Sequence, residues 1–438
     1  MKRRGEAPRE AGRAGISGHS GGSGSSGKAG SGGWPETTLG ALVRANQAQL
    51  QTGPFGTALK ANEYREEGTP LISVRELQDG RIVVDEKTPR LGPETLQRLP
   101  RYLLREGDIV FGRKGAIERC GRIAKAQEGF FLGSDGICLR LCGDLDAAFV
   151  SYQLRSKRIA TWLLANAGGT TMPSMNQEVL DRLPLRLPPL PVQRRIAALL
   201  SALDDKIELN NRINANLEAQ AQALFRSWFV DFEPWGGKLL ENWREGKLEE
   251  IADINPFRKL AKGSLAPCIE MAHLSTHSAM PDSFRLAEYS SGMKFQNGDT
   301  IMARITPCLE NGKAGFVNFL APGQVAFGST EYIILKGKTG IPNELLYFLV
   351  RNQGFIAYAT QNMNGTSGRQ RVAGDVIGQY TLNIAPLAIY DKIAPVFSSF
   401  LEKMKENFFQ NTRLAALRDA LLPKLMSGEI DVSEVETA

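Results

Sequence analysis

PLPVQRRIAALLSALDDKIELNN, running from Pro189 to Asn211, reads as a proline-flanked helix start followed by an apolar stripe. From it Ile196, Leu199, Leu203, Ile207, Leu217, Ala221 and Leu224 recur at steps of three, four or their multiples, the spacing of one face of a long helix. Such a face needs a partner. About 197 residues later the chain supplies one, PLAIYDKIAPVFSSFLEKMKENFFQNTRLAALRDALLPKLMSGEI, with Ile393, Val396, Phe400, Met404, Asn407, Leu414, Leu417 and Leu421 on a similar stripe. Pro395 falls in the first turns of this second helix and predicts a kink or a late start.

Working outward, the segments before each helix also match. WPETTLGALVRAN from Trp34 pairs with WREGKLEEIADIN from Trp243, and PLISVREL from Pro70 pairs with PCIEMAHL from Pro267. EGDIVFGRKGAIERCGRIA (Glu106–Ala124) pairs with NGDTIMARITPCLENGKAGFV (Asn297–Val317), each a Gly-Asp turn, a short apolar strand and a basic residue. LGSDGICLRL from Leu132 pairs with FGSTEYIILK from Phe327, and AGGTTMPSMNQ from Ala167 with MNGTSGRQRV from Met363. Matches in one order at nearly constant offset mark a duplicated unit. Each unit is a globular part of about 150 residues, rich in short strands and Gly turns, closed by a helix of roughly 40 residues and therefore ~60 Å long. The expected fold is α+β, two pseudo-symmetric globular parts separated by two long antiparallel helices. The divisions are 34–186 and 236–385 for the globular parts, 187–235 and 386–430 for the helices, and 431–438 for a short tail.

A chain of 438 residues exceeds one ordinary core, in keeping with this division. Net charge is +6, but Lys2, Arg3, Arg4, Arg9, Arg13 and Lys28 against Glu6 and Glu10 place most of it in the first 33 residues. The basic balance alone is thus a poor argument for nucleic acid, and the case must rest on where cations sit. Residues 1–33 are Gly/Ser-rich and predict a disordered tail. GSGSSGK there (Gly22–Lys28) has phosphate-loop spacing, but Ala29 stands where Ser or Thr would hold magnesium and no strand precedes it, so low complexity accounts for the match. Five cysteines without a CxxC pair predict reduced thiols and no zinc framework. The absence of an apolar leader or span predicts a cytoplasmic protein without membrane contact.

The duplicated layout, the helix from Pro189 to Phe232, GDTIMARITPCLENGKAGFV, QTGPFGTALKANEY and the closing LRDALLPKLMSGEI together resemble the specificity subunits of type I restriction-modification systems, over Trp34 to about Ile430. The resemblance implies a non-catalytic subunit that binds double-stranded DNA, with two target-recognition domains each reading one half of a split, asymmetric sequence. It implies a helical spacer between them, assembly with two modification (methyltransferase) subunits, and restriction (translocase/endonuclease) subunits outside. No cofactor is expected in this chain; S-adenosylmethionine, ATP and Mg belong on the partner subunits. The residues agree: no Gly-rich loop opens a Rossmann-type helix, and NPFR at Asn255 and LPPL at Leu187 are only partial echoes of an adenine methyltransferase motif. A duplicated helical scaffold that binds only proteins is the alternative, and salt-dependent, sequence-selective DNA binding separates the two.

Candidate DNA contacts follow from chemistry and position. Arg113 and Lys114, flanked by Gly112 and Gly115, and Arg304 in the second unit follow apolar strands, where a cation reaches a groove or a phosphate. The polar loops before the helices supply Thr170, Thr171, Ser174 and Asn176, and Thr366, Ser367, Arg369 and Arg371; Ser134 and Ser329 lie in the matched GS turns. Gln51 and Lys60, near Pro54 and Phe55, and Arg258 and Lys259 lie where the units diverge, as readers of different half-sites would. Asn210 and Asn407 are placed to fix helix register. The group Arg226, Trp228, Phe229 and Phe232 is expected to pack on the second globular part, with contact to another subunit the alternative. Glu270, His273 and His277 have ligand-like spacing, but the strand pattern around them predicts strand-edge histidines and no metal.

Overall fold

The computed structural model describes residues 34–169, 173–366 and 368–434. The fold is α+β: two pseudo-symmetric globular units separated by two long antiparallel helices. In the first unit Ala48–Thr52, Gly136–Leu141, Ile109–Gly112 and Cys120–Arg122 are successive neighbours in a six-stranded sheet, and a four-stranded sheet built around Thr69–Ile72 lies beside it. The second unit repeats this order with Ala252–Ile254, Tyr332–Gly337, Thr300–Ala303 and Ala314–Phe316. Ile109–Gly112 and Thr300–Ala303 are buried along their whole length, as strands covered on both faces must be. Each follows the aspartate of its Gly-Asp turn. Asp108 and Asp299 are buried, and each is neutralised by an arginine: Arg140 Nε at 2.8 Å from Asp108 and Arg258 Nη2 at 2.7 Å from Asp299.

The first long helix, Leu190–Phe229, begins after Pro189 with Pro191 in its first turn, a position where the missing N–H costs nothing. The second, Leu387–Ser427, begins after Pro386 and stops at Gly428, whose φ of +79° favours glycine and whose N–H returns to the Lys424 and Leu425 carbonyls. A Cβ at Gly428 would also come within 2.9 Å of the Trp34 ring. Ile196, Ala197 and Leu200 near the start of the first helix join Leu425, Met426 and Val432 in the first unit's core. Ala221 and Phe225 near its end join Ile393, Phe397, Leu401 and Met404 in the second unit's core. The units therefore grip opposite ends of the helix pair. Trp228, Phe229 and Phe232 pack there too, against Trp235, Trp243 and Tyr390.

Amides bridge the middle of the pair. Asn210 Nδ2 donates to Asn411 Oδ1 at 2.8 Å and to Gln410 Oε1 at 2.7 Å, and Asn407 Nδ2 donates to Asn214 Oδ1 at 2.7 Å. The Asn210–Asn411 and Asn407–Asn214 bonds exchange under the duplication, so the ladder lies on the pseudo-twofold axis. Two buried carboxylates tie the units to the helices, and both belong to the first helix. Asp204 accepts from Tyr152 Oη at 2.8 Å, Arg155 Nη1 at 3.1 Å and Arg418 Nη1 of the second helix at 2.7 Å. Glu218 accepts from Tyr347 Oη at 3.0 Å, with Arg351 Nε at 3.7 Å.

Several sequence expectations change. Ile196, Ile393 and Met404 are buried in the packed faces, and Leu199, Leu203, Ile207, Leu217, Phe400 and Leu414 are half-buried. Val396 and Leu417, however, are 37% and 48% exposed. Phe397 lies one position from Val396 and offers more apolar area, so the face turns toward it and continues through Leu401 and Met404. Pro395 neither delays nor breaks the helix, which starts eight residues earlier; both Pro395 and Asp391, whose carbonyl loses its partner, lie on the solvent side. His273 closes a 3-10 turn rather than a strand edge, and Glu270 is taken by Arg285 Nη2 at 2.6 Å. The 1–33 segment, Thr170, Thr171 and Ser367 lie outside the described residues.

Candidate nucleic-acid interface

The antiparallel order of the central strands gathers three chain segments at one end of each sheet. In the first unit these are the exit of Ala48–Thr52, the exit of Ile109–Gly112 and the entry to Gly136–Leu141. Gly53 N–H donates to Gly136 O at 3.0 Å, and a Cβ on Gly53 would lie 1.9 Å from Gly133 O, so only glycine allows this approach. Arg113 leaves the sheet here. Its N–H donates to Asp135 O at 2.8 Å, and its guanidinium lies 4.3 Å from the centre of the Phe55 ring. The polar loop is strapped alongside: Met175 N–H donates to Arg113 O at 2.9 Å, Gly115 N–H to Pro173 O at 2.9 Å, and Lys114 bridges Ser174. Arg113, Lys114, Ser134 and Ser174 thus come together, and Gln51 lies on the adjoining strand.

The second unit repeats the strap. Val372 N–H donates to Arg304 O at 3.0 Å and Thr306 N–H to Gln370 O at 3.1 Å, bringing Arg304, Ser329 and Arg371 to one strand end. Its electrostatics differ. Glu331 accepts from Arg371 Nη2 at 2.8 Å and from Arg304 Nε at 3.1 Å. Hydrogen bonding from Arg371, opposed by partial burial and aided by Arg304, holds the Glu331 carboxyl below its ordinary range. Arg113 makes no ion pair among the described residues, whereas Arg304 and Arg371 are presented on a shared carboxylate.

Other sequence candidates separate. Lys60, Lys259, Thr366 and Arg369 are exposed. Asn176 spends its side-chain oxygen capping a helix, accepting from Val179 N–H at 3.0 Å. Arg258 is withdrawn from the surface: its side chain is 11% exposed because the buried Asp299 requires its guanidinium. The residue between that pair and Asn255 was missed. Phe257, just past the exit of Ala252–Ile254, is 86% exposed. Its signal was the Pro-Phe dipeptide after the first central strand of both units, Pro54-Phe55 and Pro256-Phe257.

Residues 54–219 match the family model for the type I restriction modification DNA specificity domain. The type I restriction enzyme HindI specificity subunit of Haemophilus influenzae is 44% identical over 338 residues, covering 61% of this chain and 73% of the relative. The MjaIX specificity subunit of Methanocaldococcus jannaschii is 26% identical over 310 residues, covering 66% of this chain and 70% of the relative. The crystal structure of a type I restriction-modification S subunit from M. genitalium has the same fold, with a TM-score of 0.55 at 17% identity over 90% of this chain and 96% of that one. A duplicated recognition fold on a helical spacer defines the class. The chain belongs to the specificity subunits of type I restriction-modification systems, and is a non-catalytic recognition subunit of such a system. Among the described residues no helix is long and apolar enough to cross a membrane.

Proposed function

We propose that this subunit reads a bipartite, asymmetric duplex sequence, residues 34–186 contacting one half and 236–385 the other, with the helices of 187–235 and 386–430 setting the unread gap. The observation that carries this is the repeated strand-end cluster, Arg113 with Lys114 and Ser174 in one unit and Arg304 with Arg371 and Ser329 in the other, on units held at opposite ends of the helix pair. Arginine is suited to guanine edges and phosphates, and hydroxyls and amides to either. Lys60, Lys259, Thr366 and Arg369 supply outlying phosphate contacts. Two modification subunits carrying S-adenosylmethionine assemble on the subunit, and restriction subunits using ATP and Mg join outside them, in the cytoplasm.

The test is co-expression with the cognate modification subunit in a host lacking adenine methylation, followed by genome-wide mapping of N6-methyladenine. A split motif with a fixed gap is expected, and exchanging residues 34–186 for another such domain should change one half alone. A stable complex that methylates nothing and binds no duplex selectively would leave the protein-binding scaffold in its place.

A further inference from the structure

Phe257 is a large apolar side chain held in water by two anchors. Before it, Asn255 takes a left-handed φ of +52° and closes two hydrogen bonds with Ile334, its N–H donating to the carbonyl at 2.7 Å and its Oδ1 accepting from the amide at 3.0 Å. After it, Arg258 is locked on Asp299. Pro256 stiffens the short span between, so the ring cannot fold back without breaking one anchor. The other unit, with different loop residues, places Phe55 just past the matched strand, 55% exposed and lying under the Arg113 guanidinium. A single exposed aromatic needs no explanation, but two that each follow a proline just past the matched first strand of their unit do, even though the sheet register sets them two residues apart. On one flank of Phe257 an open cleft of about 880 Å³ is lined by Glu249, Asp253 and Asp375 against one cation, Lys338, whose Nζ donates to the Glu249 carbonyl at 2.6 Å. Three carboxylates against that one ammonium leave the cleft net negative, which repels phosphates while the carboxylates accept from base amino groups, so the surface around the ring suits bases better than backbone.

Resting on the reading above, we infer that Phe257 and Phe55 are specificity-determining residues that make the apolar base contact of their respective half-sites, stacking on a base or packing against a thymine methyl. In the first unit Arg113 couples the ring to the cationic cluster. In the second, the rigid Asn255–Arg258 span presents the ring alone.

The experiment uses the complete complex of this subunit with its modification subunits, titrated by fluorescence anisotropy against a duplex carrying the mapped target and against a scrambled duplex. Phe257→Ala should weaken cognate binding by roughly tenfold, the scale of one lost base–aromatic contact, while leaving scrambled-duplex affinity, the salt slope and the melting temperature unchanged. Relaxed base preference should appear only in the second half-site, and Phe55→Ala should give the mirror result. Replacing each half-site thymine with uracil identifies a methyl contact if it reproduces the loss; if it does not, 2-aminopurine dequenching in the variant identifies stacking. Selective binding by the unsubstituted complex that survives Phe257→Ala and Phe55→Ala intact would overturn the inference alone. A complex that shows no selectivity before substitution would overturn the functional reading, and the inference with it.

Discussion

Asp204 and Glu218 lie on one helix, are both buried, and shift in opposite directions. Burial pushes Asp204 up, but hydrogen bonding from Arg418 and the charge of Arg155 outweigh it and hold the carboxyl below its ordinary 3.8. Its contribution to stability is therefore complete above that value and lost as pH falls through the lowered one. For Glu218 burial wins over Arg351 and Tyr347, and the carboxyl is raised above 4.5. Its charged form costs folding energy at neutral pH, a cost relieved as pH falls through the raised value. Asp204→Asn should lower stability at pH 7 by about 3 kcal/mol, because it strips the partner from two guanidiniums. Glu218→Gln should change stability little at pH 7 and abolish the relief on acidification. Thermal melts across pH 3–7 check both, and equal losses from the two substitutions would contradict the assignment. Among the proposed DNA contacts, Arg113→Ala should lower the salt slope of binding by about 1 if the guanidinium touches phosphate, or relax one base position if it reads an edge.

At the scale of the element, the helix pair was largely legible from its stripe, since apolar spacing and flanking prolines are local signals. Its register was not. Val396 and Phe397 are both apolar, and only the partner surface selects between them. The buried polar groups were harder still, because Asp204 and Glu218 look in sequence like a solvated face and gain meaning only from Tyr152, Tyr347 and the arginines, all distant in the chain. Arg258 illustrates the same limit at the interface: an arginine beside a loop has the same sequence whether it faces DNA or a buried aspartate. The asparagine ladder yields a prediction of its own. Asn210→Leu combined with Asn407→Leu should hold or raise the melting temperature while broadening the methylated gap from one length to several, since polar groups in an apolar seam fix register at a cost in stability. By contrast Leu200→Ala, at a fully buried position in the first unit's core, should cost about 2–5 kcal/mol with the gap unchanged.

The whole molecule closes on itself. Trp34 near the described start meets Gly428 beyond the last helix, and Leu425, Met426 and Val432 are buried in the core of the first unit rather than the second. Truncation before Leu425 should therefore loosen residues 34–186, the part most distant in the chain, and leave 236–385 protected in hydrogen exchange. The same closure sets a timetable at the ribosome. The half synthesised first cannot complete its interior until residues 425–432 have emerged, so the later half is able to finish before the earlier one, and the nascent first half waits with an open apolar face while residues 187–432 are translated.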